Sequence, residues 1–210
     1  MRRVFVDPGA PQRDAIDEAA KWILSGGIVA LPTDTLYGLA VTPFRSDAVA
    51  RIFSVKGRSA ERALPLIAAD APQVVMHLGP LTPMGERLAA GFWPGPLTIV
   101  VPAPASLARE VTADGTVGVR VPASDIARAI ARACGQPITA TSANISGQPA
   151  TSEPDDVERT LGHGIDLLID AGPTPGGPPS TIVDVTGSTP RLVRSGAVAW
   201  TEVLACLDRA

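Results

Sequence analysis

The chain has 210 residues, 45% of them hydrophobic and 19% charged, which marks a globular sequence and excludes a disordered one. A formal net charge of −3 and an aromatic share of 4% count against a nucleic-acid-binding domain, which draws its affinity from phosphate neutralisation and base stacking. No apolar run approaches the length of a membrane span, and MRRVFVDPGAP has no apolar stretch behind its basic residues, so neither membrane nor secretory leader is expected and the cytoplasm is the expected location.

In chain order, Arg3–Val6 reads as a short strand. Ala15, Ile16, Ala19, Ala20 and Ile23 recur on one face of a helix that Gly26-Gly27 ends. Ile28–Leu31 is the next strand, followed by the polar run Thr33-Asp34-Thr35 and by Tyr37. Ser46 is placed to cap a helix carrying Val49, Ile52 and Phe53. Leu64–Ala68 reads as a strand, and Thr82-Pro83 opens a helix with Met84, Leu88 and Phe92. Leu97–Val101 and Val117–Val121 are strands, and Ser124 opens a helix with Ile126, Ala127, Ile130 and Ala131. Ile138–Thr141 is a strand, and Ser152 with Asp155 has the form of a capping box. Leu167–Ile169, Thr181–Val185 and Leu192–Arg194 are late strands, with a last helical stripe at Val203, Leu204 and Leu207. Between them AGPTPGGPP, residues 171–179, fits a surface connection or a mobile flap.

Strands and helices interleave without a repeat period and without a long linker. The expectation is one α/β domain over residues 1–210, a mixed, twisted sheet flanked by helices. The two cysteines, Cys134 and Cys206, and the two histidines, His77 and His163, have no paired ligand spacing. They read as free thiols in a reducing compartment, not as a zinc site.

Several segments carry chemistry. In Val117-Gly118-Val119-Arg120-Val121 the alternation of a strand sends three valines to one face and Gly118 and Arg120 to the other. An arginine on a central strand needs a partner, which is either an anionic ligand or a carboxylate of the chain itself. In Lys56-Gly57-Arg58 two cations flank a glycine, a pattern that suits phosphate oxygens and equally suits a solvated helix end. Thr139-Ala-Thr-Ser142-Ala-Asn144-Ile-Ser146-Gly147 offers several small hydrogen-bonding groups, either to a nucleotide or to its own turn. Ser180 and Arg194 each stand near the end of a strand. Glycine-rich phosphate loops and a Ser/His/Asp hydrolase pattern are both absent from the sequence.

The ordered set LPTDTLYGL, KGR, WPGPLT, VGVRVP, TSANISG, STIVD and RLVRSG resembles the YrdC-like family of threonylcarbamoyl-AMP synthases, over a core of about residues 12–200. The resemblance implies a twisted mixed sheet flanked by helices around a large, positively lined cavity. It implies that L-threonine, bicarbonate and ATP give threonylcarbamoyl-AMP and pyrophosphate, the precursor of threonylcarbamoyladenosine beside the tRNA anticodon. Other proteins would receive the product and transfer it, so direct tRNA binding is expected to be weak or absent. Carried over by motif, Lys56, Arg58, Ser142 and Asn144 would hold the ATP phosphates and stabilise charge, with Thr116 and Arg194 also at the nucleotide. Thr33, Thr35, Tyr37, Arg120 and Ser180 would surround the threonine, with Arg120 facing its carboxylate. Asp34 fits either a contact to the substrate amine or a hold on the turn. Magnesium is expected with the ATP, without a dedicated carboxylate cage.

Two departures from the family pattern stand out. Ser59 takes the place of the usual proline, and the stretch Ser59–Leu64 lacks the common asparagine, so no contact is carried over to it. The sequence ends soon after Arg194, so the C-terminal domain of the longer synthases is not expected and any lid would be a local loop. The alternative reading, a non-catalytic RNA-binding YrdC-like module, is disfavoured by the acidic balance.

Overall fold

The computed structural model of the chain describes residues 1–57 and 63–208. In order, its elements are β1 (Arg2–Phe5), α1 (Arg13–Leu24), β2 (Val29–Leu31), β3 (Gly38–Ala40), α2 (Ser46–Lys56), β4 (Leu66–Ile67) and α3 (Ala71–Leu78). Then come α4 (Pro83–Phe92), β5 (Leu97–Pro102), a 3-10 turn at Arg109–Val111, β6 (Thr116–Arg120), α5 (Asp125–Ala133), β7 (Ile138–Thr139) and β8 (Thr141–Ser142). The chain finishes with α6 (Pro154–Leu161), β9 (Leu167–Asp170), β10 (Thr181–Asp184), β11 (Arg191–Arg194) and α7 (Trp200–Asp208).

The strands form two mixed sheets rather than one. A five-stranded sheet runs β1-β9-β2-β3-β8, and a six-stranded sheet runs β11-β10-β5-β6-β4-β7. The chain crosses between them at Ala140, which separates β7 in one sheet from β8 in the other. At the crossing Thr139 N donates to Val41 O and Ala140 N donates to Pro65 O, so each sheet holds one side of the break. A run read as one strand, Ile138–Thr141, is therefore two. Its side chains satisfy the strand pattern equally well in either sheet, and only the partners decide which sheet each half joins.

Alternation along the short strands builds two cores. Ile28 and Ala30 enter the larger core, while Val29 and Leu31 enter the smaller one under α1 and α5. Leu66 and Ile67 divide in the same way. Burial on both faces explains why these strands read as continuous apolar runs. Ala15, Ile16, Ala19, Ala20 and Ile23 of α1 and Ile126, Ala127, Ile130 and Ala131 of α5 are all buried, as their spacing predicts.

Helix ends follow local chemistry, with three differences from expectation. Thr82 caps α4 by accepting from Gly85 N, and Ser124 caps α5 by accepting from Ala127 N. α2 begins at Ser46 itself, with Arg45 at the N-cap and no side-chain cap. The capping box at Ser152 is not formed: Glu153 is the N-cap, and the hydroxyl of Thr151 accepts from Glu153 N. α3, which the sequence pattern does not announce, is capped by Asp70 accepting from Gln73 N.

Candidate active site

The loop between β2 and β3 is built by its threonines. Thr33 Oγ1 donates to Leu36 O at 2.7 Å and accepts from Thr35 N at 3.2 Å. The carbonyl of Thr35 accepts from Thr174 Oγ1 at 2.9 Å and from Gly176 N at 2.8 Å. The 171–179 connection is thus tied onto this loop, with Thr174 itself buried. Tyr37 is 0% exposed, and its hydroxyl donates to Gly172 O at 2.7 Å and accepts from Ala171 N. Burial pushes its pKa up to about 12. Tyr37 supports the same connection from within the core, so its hydroxyl is committed to the fold.

Between the flanking threonines, Asp34 reaches across to the other sheet. Arg120, the last residue of β6, donates from Nη1 to Asp34 Oδ1 at 2.9 Å. Arg120 is 7% exposed, while Val117, Val119 and Val121 are buried on the opposite face as the alternation requires. Of the two partners the sequence allowed for this arginine, the structure shows the internal carboxylate. Burial pulls the pKa of Arg120 below the ordinary arginine value, and Asp34 opposes that shift by its charge and hydrogen bond.

Within electrostatic reach of Arg120 stands a second arginine, which is exposed. Arg194, at the end of β11, donates from Nη2 to Ser180 O at 2.7 Å and to Ser180 Oγ at 3.1 Å. Ser180 Oγ also lies 2.9 Å from Thr98 Oγ1. The pKa of Arg194 is lowered, first by burial and then by the positive charge of Arg120. Arg120 is paired with Asp34, while Arg194 is held on Ser180 and feels the charge of Arg120. Gly196 makes the approach possible: a Cβ there would fall 2.2 Å from Pro179 O and 2.5 Å from Thr181 N. The glycine of RLVRSG is thus required by close backbone approach beneath Ser180.

The third group centres on Lys56. Its side chain is 2% exposed at the end of α2, where Gly57 in the left-handed region closes the helix. Nζ donates to Ser142 O at 2.5 Å, Asn144 O at 2.9 Å and Asn144 Oδ1 at 3.2 Å. Asn144 Oδ1 also accepts from Ser142 Oγ at 2.5 Å, and Asn144 Nδ2 donates to Gln148 O at 2.6 Å. Lys56 is therefore no solvated helix end. It braces the Ser142–Asn144 turn from below and leaves the exposed Ser142 facing outward. Gly38 of β3 pairs with Ser142 of β8, which sets this turn against the end of the threonine loop.

One expected site residue stands apart and another lies outside the described residues. Thr116 begins β6, at the opposite end of the strand from Arg120, about 13 Å away at ~3.3 Å per residue. Its hydroxyl donates to Ala113 O within its own turn. Arg58 lies outside the described residues, as does most of the 59–64 stretch. A groove of about 900 Å³ opens elsewhere, lined by residues that include Val75, Met76, Leu81, Trp93 and Arg132 and by none of the expected site residues. Of the cations expected to line the site, Lys56 is buried beneath its turn, Arg120 is paired with Asp34 and Arg194 is held on Ser180. Asp34 is the residue whose role the sequence left open. Its position between two threonines in LPTDTLYGL was the signal, and its partner lies 86 residues away.

Comparison with known proteins identifies the family and supports the fold. The Sua5–YciO–YrdC family model, described as "Telomere recombination", matches residues 21–196. The chain is similar to threonylcarbamoyl-AMP synthase of Pyrococcus abyssi, 38% identical over 91% of this chain and 58% of that protein. It is also similar to threonylcarbamoyl-AMP synthase of Bacillus subtilis, 36% identical over 91% of this chain and 56% of that protein. The chain thus spans somewhat more than half the length of these two relatives. The crystal structure of P. abyssi Sua5 complexed with L-threonine superposes with a TM-score of 0.93 at 35% identity, over 99% of this chain and 61% of that one. The twisted α/β architecture, the ordered motifs and the match over most of the length place this chain in the Sua5/YciO/YrdC family.

Proposed function

We propose that this chain joins L-threonine, bicarbonate and ATP to give L-threonylcarbamoyl-AMP, pyrophosphate and water. The observation that carries the reading is the convergence of Arg120 and Arg194 with Asp34, Thr33 and Ser180 beside a lysine-braced Ser-Ala-Asn turn. The likeness to threonylcarbamoyl-AMP synthases and to a Sua5 structure holding L-threonine supports it.

The chemistry needs three things. The amino nitrogen of threonine bonds to the carbon of bicarbonate, which loses water. An oxygen of the resulting carbamate then bonds to the α-phosphorus of ATP, and pyrophosphate leaves. The charge that grows on the departing pyrophosphate needs fixed donors in a partly dry site. Ser142 and Asn144 supply short polar groups for the phosphates, and the buried ammonium of Lys56 adds positive potential through the turn it holds. Arg58 and Arg194 would add guanidinium donors, and Thr116 would also lie at the nucleotide. Thr33, Thr35, Arg120 and Ser180 receive the amino acid, with the guanidinium of Arg120 on its carboxylate. No described group of three or more His, Cys, Asp or Glu side chains is arranged to hold a metal ion. Magnesium would enter with the ATP, which needs no dedicated carboxylate cage of the chain.

This assigns the chain as a nucleotidyltransferase of the cytoplasm whose mixed-anhydride product is passed to proteins that modify tRNA. Incubation with ATP, threonine, bicarbonate and magnesium should yield pyrophosphate and threonylcarbamoyl-AMP in equal amounts. Folded protein that forms neither, while binding tRNA in a salt-dependent way, would replace the synthase with an RNA-binding module.

A further inference from the structure

We propose that Asp34 is the anchor for the substrate ammonium, so that Asp34 and Arg120 together read the zwitterion of an α-amino acid. The proposal rests on the threonine reading above and assigns within it a contact that the comparisons leave open.

An α-amino acid carries its positive and negative groups on one carbon. A complementary site sets an anion and a cation side by side, and the buried Asp34–Arg120 pair does so at 2.9 Å. The pair uses only one carboxylate oxygen. Asp34 Oδ2 is buried and has no hydrogen-bond partner among the described residues. A carboxylate oxygen left so is costly and calls for a donor. An ammonium has three N–H donors and no acceptor, which is the chemistry this oxygen lacks. The substrate carboxylate does not need to displace Asp34, because a guanidinium carries five N–H donors and Arg120 meets Asp34 through Nη1 alone.

The loop holds Asp34 in place independently of Arg120. Thr33 is bonded to Leu36, and the carbonyl of Thr35 is bonded to Thr174 and Gly176, so both neighbours are fixed. Rotation about the broad terminal torsion of aspartate turns Oδ2 toward an incoming nitrogen without moving the loop.

The test compares L-threonine with the hydroxy acid of the same shape, (2S,3R)-2,3-dihydroxybutanoate, by calorimetric titration of wild type and Asp34→Asn. Asparagine keeps an oxygen for Arg120 and loses the charge. Wild type should bind threonine at least tenfold more tightly than the hydroxy acid. Asp34→Asn should erase that preference by weakening threonine at least tenfold, with ATP affinity unchanged. Equal binding of the two ligands by wild type would overturn the anchor even if the variant failed to fold. A preference kept in Asp34→Asn, an equal loss for both ligands, or tighter threonine binding would also overturn it; the last would make Asp34 a competitor for Arg120. Wild type that binds neither ligand would overturn the threonine reading beneath it and the anchor with it.

Discussion

Replacing Arg120 by methionine tests whether the two sheets are joined by a buried charge. Arg120 is 7% exposed and the Asp34 side chain 10% exposed, so the pair has little solvent to screen it. Methionine fills much of the volume but leaves Asp34 Oδ1 without its donor, beside an Oδ2 that already has none. Breaking a buried pair from one side costs about 3–5 kcal/mol. Relief of the repulsion between Arg120 and Arg194 offsets a small part of this. For a chain of this size about 2–4 °C of melting temperature is lost per kcal/mol, so the variant should melt roughly 6–20 °C below wild type. Urea unfolding with the slope compared between variants separates a stability change from a change in the unfolded state. Adding Asp34→Leu should return most of the lost stability, because the uncompensated carboxylate is then gone. A single variant that costs less than about 1 kcal/mol would refute the reasoning, since that is the range of solvent-screened surface pairs.

Two further predictions follow from the packing. Gly196→Ala drives a methyl group to 2.2 Å from Pro179 O, and the forced backbone shift should cost about 1–3 kcal/mol. Because Ser180 and Arg194 flank the clash, the same variant should weaken ligand binding in a titration; a stable variant with unchanged binding would show that the two backbones separate freely. Tyr37→Phe removes the part-buried hydroxyl bond to Gly172 O, and the loss of such a bond costs about 0.5–1.5 kcal/mol at neutral pH. Tyr37 titrates at about 12 in the fold against an ordinary 10, so the neutral phenol is the form the fold favours. Its contribution is whole below pH 10 and falls as the pH rises toward 12. Wild type should therefore lose more stability than Tyr37→Phe across that window in a denaturation series, and parallel curves would contradict the assignment.

The sequence by itself determined the elements whose side chains repeat with a clear period. Ile126, Ala127, Ile130 and Ala131 fixed one face of α5, and Val117, Val119 and Val121 fixed one face of β6, because burial on a helix or strand follows its own geometry. The ordered motifs also named the family, since side chains that meet a shared ligand keep their type and order. α3 escaped because it is short, opens with Ala-Pro and exposes Val75 and Met76, so the apolar run Val74-Val75-Met76 hides the i, i+4 face of Val74 and Leu78. The tertiary structure alone decided what is set by partners far along the chain. It split Ile138–Thr141 between two sheets, buried Lys56 beneath the Ser142–Asn144 turn and turned Tyr37 into the core. It also joined Asp34 to Arg120 across 86 residues. A carboxylate and a guanidinium carry the same signal whether they meet each other, a ligand or water. Only the low-dielectric space that the two sheets enclose makes one of these encounters obligatory.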